Sequence, residues 1–260
     1  MTDYTLRLSE QELNRYRRMA AFAREAETAA WQAAGIEKGA RIVDIGCGPG
    51  LPLLQLAEAV GAEGRVVGVD QSAEARETAM TLAADLPHVE IREGDAAATG
   101  LPAGEWDVVH MRHVLLHNGP RIGEILAHAA ELLRPGGRLY LNETDAGNHR
   151  FEYDLDPDIA DLEARYWAFV AGLGNDLAVG PHLGRYATEA GFDIVHRQAR
   201  YDIFTVGPEI RPPSWAGRQA MLAANACTEA DIERWDRALT DRTPQGVAYI
   251  PQFTLVGGRP

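Results

Sequence analysis

The stretch Val43-Asp44-Ile45-Gly46-Cys47-Gly48-Pro49-Gly50 decides how this chain folds. It follows the apolar run Arg41 to Ile45, which is typical of a buried strand, and precedes Leu51 to Val60, which has helical periodicity. Glycine tolerates positive φ and lets a ligand approach the backbone without meeting a Cβ atom. Three glycines and a proline within five residues therefore predict a tight strand-to-helix turn that receives a ligand.

The glycine spacing argues against a dinucleotide as that ligand. The dinucleotide fingerprint requires glycines at 46, 48 and 51 and sets a pyrophosphate on the following helix, but Leu51 occupies the third position. The carboxylate of Asp44, at the end of the strand, suits an ammonium group instead. A tight turn that binds nothing is the alternative, and the density of glycines makes it the weaker interpretation.

Two further acids follow the next two predicted strands. Asp70 comes directly after the strand Arg65 to Val69, where a carboxylate can accept hydrogen bonds from ribose hydroxyls. Asp95, in Glu93-Gly94-Asp95-Ala96, follows the strand His88 to Glu93 and suits an exocyclic amine. Alone, Asp70 could cap a helix and Asp95 could stabilise its own turn. Acids at the ends of three consecutive strands indicate one nucleoside-binding site.

The segment from residue 41 to 142 alternates strand and helix. Such alternation predicts right-handed βαβ units and a doubly wound α/β fold with a mainly parallel sheet. The predicted elements after Val69 are the helix Ala73 to Ala84, the strands His88 to Glu93 and Trp106 to Met111, the helix Gly123 to Leu133 and the strand Arg138 to Asn142. Ligands bind such sheets beyond the carboxyl ends of the strands.

Three segments are predicted to be additions to this core. Residues 1–35 form an N-terminal helical lid, and residues 145–175 and 203–246 are helical insertions into a core that spans 36–260. Phe192 to Gln198 and Tyr249 to Val256 are the sixth and last strands. Many aromatic residues lie in the additions, which favours a largely apolar acceptor pocket there.

Composition limits the kinds of partner. The chain has 260 residues and a net charge of -13 without a basic cluster, so nucleic-acid binding is not expected. It has two cysteines far apart in sequence, which suits a reducing cytoplasm. No membrane-spanning segment or signal peptide is predicted. We therefore expect a cytoplasmic protein, a monomer or homodimer, that acts on a small molecule.

The order of motifs resembles that of class I S-adenosylmethionine-dependent methyltransferases. The resemblance rests on the glycine turn, Asp70, Asp95-Ala96, Trp106-Asp107-Val108-Val109 and Leu132-Leu133-Arg134-Pro135-Gly136-Gly137-Arg138-Leu139. It is strongest to the branch that contains quinone-biosynthesis and bacterial natural-product methyltransferases. It covers residues 36–198 and the last strand, and it implies a Rossmann-like, seven-stranded sheet whose last strand is antiparallel.

The resemblance also implies a set of cofactor contacts. Together with the spacing of the acids, it predicts that S-adenosylmethionine binds at the turn and at the ends of strands two, three and four. The predicted cofactor-binding residues are Asp44, Gly46, Cys47, Gly48, Gly50, Asp70, Gln71, Asp95, Ala96, Met111 and Arg112.

Three residues are candidates for a catalytic base. His113 and His117 lie just beyond strand four, and Glu143 lies at the tip of strand five. Histidine titrates near neutrality and suits this role. The alternative is that each is structural, with His117 satisfied by a backbone carbonyl. The two histidines could also bind a metal together with Glu143 or His149, but H-x-x-x-H spacing is common and no metal is predicted.

We therefore expect an enzyme that transfers a methyl group from S-adenosylmethionine to an oxygen, nitrogen or carbon atom of a small hydrophobic or aromatic metabolite. Two alternatives remain open. A methyltransferase-like protein could bind the cofactor yet catalyse another reaction, such as a cyclisation. A non-enzymatic regulatory subunit is the second alternative, and the intact motifs argue against it.

Overall fold

The computed structural model describes residues 25–151, 156–205, 211–240 and 247–260. The helices are α1 (Thr28–Ala34), α2 (Leu51–Val60), α3 (Ala73–Leu82), α4 (Ile122–Leu132), α5 (Pro157–Gly172), α6 (Val179–Glu189), α7 (Pro213–Ala216), α8 (Arg218–Ala223) and α9 (Glu229–Thr240). The strands are β1 (Arg41–Ile45), β2 (Arg65–Asp70), β3 (Val89–Glu93), β4 (Trp106–Arg112), β5 (Leu133–Thr144), β6 (Arg150–Phe151), β7 (Asp193–Thr205) and β8 (Val247–Gly258).

The doubly wound α/β prediction is confirmed. The strands lie in the order β3-β2-β1-β4-β5-β8, and β7 pairs with the other edge of β8. β1 to β5 are parallel to one another, and β8 is antiparallel to both of its long neighbours. This order places the carboxyl ends of β1, β2, β3 and β4 along one edge of the sheet, where the predicted ligand loops meet.

Among the described residues the sheet has eight strands, one more than the expected seven. The extra strand, β6, has two residues and pairs with Ala248 and Tyr249, so it continues the line of β5 along β8. β7 also runs to Thr205, which is beyond the predicted end at Gln198 and into the segment predicted as an insertion. Both differences arise because β8 begins at Val247 and offers partners on both edges.

Apolar side chains cover both faces of the sheet. One cluster joins alternate strand residues such as Val109 and Leu139 to α4 and α6, and a second joins Val108 and Tyr140 to α1 and α2. A third cluster, around Trp235, packs α5, α8 and α9 together. α5, α8 and α9 lie within the segments 145–175 and 203–246, which were predicted to be helical insertions. Residues 1–24 lie outside the described residues, and so does most of the predicted N-terminal lid.

No helix among the described residues is long and apolar enough to cross a membrane.

Candidate cofactor site

The glycine turn has the backbone conformation that its sequence predicts. Gly46, Gly48 and Gly50 have φ angles of 70°, 53° and 85°, which residues other than glycine rarely adopt. The amide of Gly46 donates to the carbonyl of Val69 at 2.7 Å, so the turn is tied to the end of β2. A Cβ atom on Gly50 would lie 2.9 Å from the Cβ of Ala79, so this glycine is required for the packing of α3. Gly48 faces open space.

A cleft lies at the carboxyl ends of β1 to β4. It is partly enclosed by protein and partly open to solvent. It is lined by Gly46, Val69, Asp70, Gln71, Gly94, Asp95, Ala96, His113, Val114, His117 and Asn118. Residues that are far apart in the sequence but were predicted for one site, among them Gly46, Asp70 and Asp95, therefore share this cleft.

Asp70 connects the first two strand ends. Its Oδ2 accepts a hydrogen bond from the amide of Gly48 at 2.9 Å, and its Oδ1 accepts one from the amide of Ser72 at 2.8 Å. Burial raises the pKa of Asp70, and these two amides partly offset the rise. The cap of α3 is Ser72, which accepts from the amide of Ala75, so Asp70 is not the helix cap. Each carboxylate oxygen keeps a second lone pair for a hydroxyl in the cleft.

We expect Asp70→Ala to weaken the binding of S-adenosylhomocysteine by about 1–3 kcal/mol, because both the ligand hydroxyls and the Gly48 amide would lose a partner. Isothermal titration calorimetry measures the change. The control is Asp107→Ala, since Asp107 lies at the opposite end of β4 and pairs with Arg134. Wild-type affinity in a folded Asp70→Ala protein would place the ligand elsewhere.

Asp95 is bound by an arginine that the sequence did not reveal. Arg121 donates to both carboxylate oxygens, at 2.7 and 2.8 Å, and the amide of Ala97 donates to Oδ1 at 2.9 Å. The Arg121 guanidinium holds the pKa of Asp95 below its usual value, against a smaller effect of burial. Asp95 thus stabilises its own turn and also lines the cleft. Arg121 lies in an irregular 3₁₀ turn, Gly119–Arg121, where no periodicity predicts its direction.

Asp44 lies beneath the glycine turn in a buried pair. Its Oδ1 is 2.7 Å from Nδ1 of His110, whose ring stacks on Tyr140 with centroids 4.8 Å apart. Its Oδ2 is buried and has no hydrogen-bond partner among the described residues. A buried carboxylate oxygen without a partner is unfavourable, so this atom marks a position for a donor group such as an ammonium.

Six of the predicted contacts are not among the residues that line the cleft: Asp44, Cys47, Gly48, Gly50, Met111 and Arg112. Cys47 is buried under the turn, and burial, followed by the charges of Asp44 and Asp70, raises the pKa of its thiol well above the usual value. Met111 is fully buried in the core below the sheet. Arg112 points to the opposite face from Met111, because successive strand residues alternate between faces. The side chains of Met111 and Arg112 therefore do not line the cleft, and the predicted contact of these residues with the cofactor stays a prediction.

Arg112 belongs to a buried charge cluster centred on Glu27, the residue before α1. Its Nη1 donates to both Glu27 oxygens at 2.7 and 2.8 Å. Arg200 donates to Glu27 at 2.8 Å and to Asp202 at 2.6 Å, and the hydroxyl of Tyr140 donates to Glu27 as well. The cluster links the start of α1 to β4, β5 and β7. Local sequence patterns do not predict this cluster, because Glu27 and Arg200, for example, are 173 residues apart.

The candidate bases fall into two groups. His113 and His117 both line the cleft, as predicted for residues near the transferred group. His113 has a φ of 55°, which is rare for a residue other than glycine, and its amide donates to the carbonyl of Asn142. Glu143 is fully buried and its carboxylate accepts backbone amides of the loop after β4. This geometry favours the structural alternative for Glu143, and its role as a base stays a prediction.

No group of three or more His, Cys, Asp or Glu residues that could hold a metal occurs within the described ranges.

Comparison with known proteins identifies the family. Residues 13–197 match the family model described as a methyltransferase domain. The chain belongs to this family. This membership, with the motif order, makes it an enzyme that uses S-adenosylmethionine, and the resemblance inferred from the sequence is confirmed.

The chain is similar to several curated and solved proteins. It is 36% identical over 156 residues to an uncharacterized 37.1 kDa protein in transposon TN4556 of Streptomyces fradiae, covering 60% of this chain and 44% of that protein. It is 39% identical over 107 residues to nocamycin O-methyltransferase of Saccharothrix syringae, covering 40% and 37%. The crystal structure of the [4+2]-cyclase SpnF has a TM-score of 0.56 at 18% identity, covering 94% and 80%. The matches thus span less than half of these curated relatives, and the last shows a shared fold.

The cleft suits this cofactor. Asp44 is not a lining residue, but its unpaired buried oxygen would accept from an ammonium, and the remaining lone pairs of Asp70 would accept from ribose hydroxyls. Gly48 leaves space at the turn, and Asp95 and Ala96 line the end of the cleft formed by β3. When bound, S-adenosylmethionine supplies an electrophilic methyl group.

Proposed function

We propose that this protein methylates an oxygen, nitrogen or carbon atom of a small hydrophobic or aromatic metabolite. The observation that supports the acceptor class is that the additions carry aromatic side chains, such as Trp167 and Trp215, that are only partly buried. The additions are the parts of the chain that have no counterpart in the cofactor motifs. Similarity to nocamycin O-methyltransferase supports an acceptor of the natural-product kind.

In this proposal the cleft holds the cofactor and the histidines face the acceptor. Methyl transfer from a sulfonium is an in-line displacement, so alignment of nucleophile and methyl contributes most, up to about 7–11 kcal/mol at the limit. His113 and His117 are proposed to take a proton from an acceptor that keeps one. The cofactor contacts proposed for Gly46, Gly48, Asp70, Gln71, Asp95 and Ala96 hold the methyl donor in place.

We expect S-adenosylmethionine and S-adenosylhomocysteine to bind with roughly micromolar dissociation constants, about -8 kcal/mol, and NAD not to bind. The reason is that the turn carries Leu51 where a dinucleotide site needs its third glycine. Isothermal titration calorimetry with the three ligands tests this. Binding of NAD together with failure of both adenosyl ligands would overturn the cofactor assignment.

The acceptor is found by incubating the protein with candidate metabolites and methyl-labelled S-adenosylmethionine. Mass spectrometry then identifies any product that gains a labelled methyl group. A product that is rearranged without label, at constant cofactor concentration, would instead support a cyclisation or a similar reaction. No turnover of any phenolic, hydroxylated or amine metabolite, despite tight cofactor binding, would contradict the proposed acceptor class.

A further inference from the structure

The loop that follows β4 is held by a carboxylate from the neighbouring strand. Oε1 of Glu143 accepts hydrogen bonds from the amides of Val114 at 2.8 Å and Leu115 at 2.7 Å, and Oε2 accepts one from Leu116 at 3.4 Å. These amides begin the 3₁₀ turn Leu115–His117, where the first N–H groups have no partner within the turn itself. One side chain therefore satisfies three consecutive backbone donors.

The geometry of the sheet places this carboxylate under the loop. β4 ends at Arg112, which pairs with Asn142, so Glu143 lies one residue beyond the end of β4. It shares the face of Leu139 and Leu141, on which Val114, Leu115 and Leu116 also pack. Glu143 has no exposed surface, so water does not replace it as an acceptor.

The same loop forms one wall of the cofactor cleft, through His113, Val114, His117 and Asn118. His113 keeps an unfavourable backbone conformation at the point where the loop leaves β4. Such a conformation persists only when the surrounding structure fixes it, and the adjacent amides bound to Glu143 are part of that surrounding.

We propose that Glu143 is a positioning residue, whose ionised carboxylate holds residues 113–117 in the conformation that forms the cofactor cleft. This proposal rests on the cofactor assignment that the proposed function shares, and it is independent of the acceptor. It gives Glu143 a role in cofactor affinity that differs from the predicted role as a base.

The charge state of Glu143 provides a readout. Burial raises its pKa to about 7, against the opposing effect of the three amides and of Arg112. Arg112 on β4 is the charged group that acts on it, His113 and His117 are the titratable residues of the loop that it holds, and its cross-strand partner on β8 is the uncharged Phe253. A protonated carboxyl group still accepts hydrogen bonds but carries no charge, so its bonds to the three amides are weaker than those of the carboxylate. The loop should therefore be held less firmly below about pH 7.

The contribution of Glu143 to the free energy of unfolding is expected to fall as the pH rises, whereas the loop is expected to be held more firmly. Because the folded pKa of about 7 is above the reference value of 4.5, protonated Glu143 favours the folded state below pH 4.5. That contribution is lost as the pH rises through about 7. Glu143→Gln should therefore be at least as stable as the wild type at pH 8, which separates the positioning role from a merely structural one.

The experiment compares Glu143→Gln and Glu143→Ala with the wild type. Glu163→Gln is the control, since Glu163 is a partly buried carboxylate that accepts from Ser214 and Trp167 between α5 and α7, away from the loop. We measure S-adenosylhomocysteine affinity by calorimetry at pH 6 and pH 8 and amide hydrogen exchange of residues 114–116. The same buffers are used for every protein, so that the protonation state of S-adenosylhomocysteine at each pH is identical in all comparisons.

We expect wild-type and Glu163→Gln proteins to bind severalfold more tightly at pH 8 than at pH 6, with protected loop amides. Glu143→Gln should lose this pH difference, and Glu143→Ala should bind roughly tenfold more weakly with faster exchange at 114–116. If Glu143→Gln retains the pH difference, or if Glu143→Ala only lowers the melting temperature, the proposal is wrong. If the wild type fails to bind at either pH, the cofactor assignment fails instead.

Discussion

Glu27→Ala is expected to lower the free energy of unfolding by about 3–5 kcal/mol, because it leaves two buried guanidinium groups without their shared carboxylate. Arg112 and Arg200 both donate to Glu27, and Glu27 is 1% exposed. An isolated buried charge costs far more than a missing surface ion pair. Urea unfolding followed by far-ultraviolet circular dichroism measures the loss.

The charge of Glu27 makes the effect depend on pH. Burial raises its pKa, but Arg112, Tyr140 and Arg200 outweigh burial and hold the pKa below 4.5. A carboxylate with a lowered folded pKa stabilises the protein above its unfolded value and loses that contribution as the pH falls through the folded value. The difference between wild type and Glu27→Ala should therefore shrink below pH 4.5.

The matched control is an exposed carboxylate in an ion pair of the same length. Glu105 pairs with Arg41 at 2.7 Å, and their side chains are 46% and 40% exposed. Glu105→Ala should change the unfolding free energy by less than about 1 kcal/mol. A Glu27→Ala protein that unfolds like the Glu105→Ala protein would show that the charge cluster around Glu27 is not buried in solution.

The cofactor cleft was predictable because local signals and sheet topology agree there. Asp70 and Asp95 each follow a recognisable strand, and parallel strands bring their carboxyl ends to one edge. The spacing of the glycines predicts the backbone conformation of the turn. These features depend on short sequence windows, and the structure places Gly46, Asp70 and Asp95 in one cleft.

The strand faces were harder to assign. β4 reads Trp-Asp-Val-Val-His-Met-Arg, an apolar strand in which no alternation distinguishes one face from the other. Pairing shows that His110 and Arg112 share a face with Tyr140, while Met111 shares the opposite face with Leu141. Because β4 carries buried polar residues on a central strand, the sequence does not show which of its residues face which side of the sheet.

Contacts between distant segments were not predictable. Glu27 meets Arg112 across 85 residues, and Arg121 meets Asp95 from a turn without periodicity. Glu143 was recognised as important, but its partners are backbone amides, which carry no sequence signature. A carboxylate at a strand end looks the same in sequence whether it serves as a base or fixes a loop.

His117→Gln and His113→Asn are expected to lower turnover while leaving S-adenosylhomocysteine affinity within about threefold. General base catalysis contributes roughly 10²–10⁴-fold, so loss of the true base should exceed the approximately tenfold effect of misplacing the acceptor. Asparagine is chosen at position 113 because the φ of 55° there is tolerated by asparagine better than by alanine.

The measurement is kcat with the acceptor that the labelled-cofactor screen identifies, alongside calorimetry for the cofactor. The carboxylate of Glu143 already accepts hydrogen bonds from backbone amides. Among the described residues of the loop, His113 and His117 are the titratable side chains that line the cleft. A hydroxyl or phenol acceptor needs a base, whereas a free amine or an acidic carbon does not. If both single variants and the double variant keep wild-type turnover on a hydroxylated acceptor, neither histidine is the base, and positioning alone accounts for the transfer.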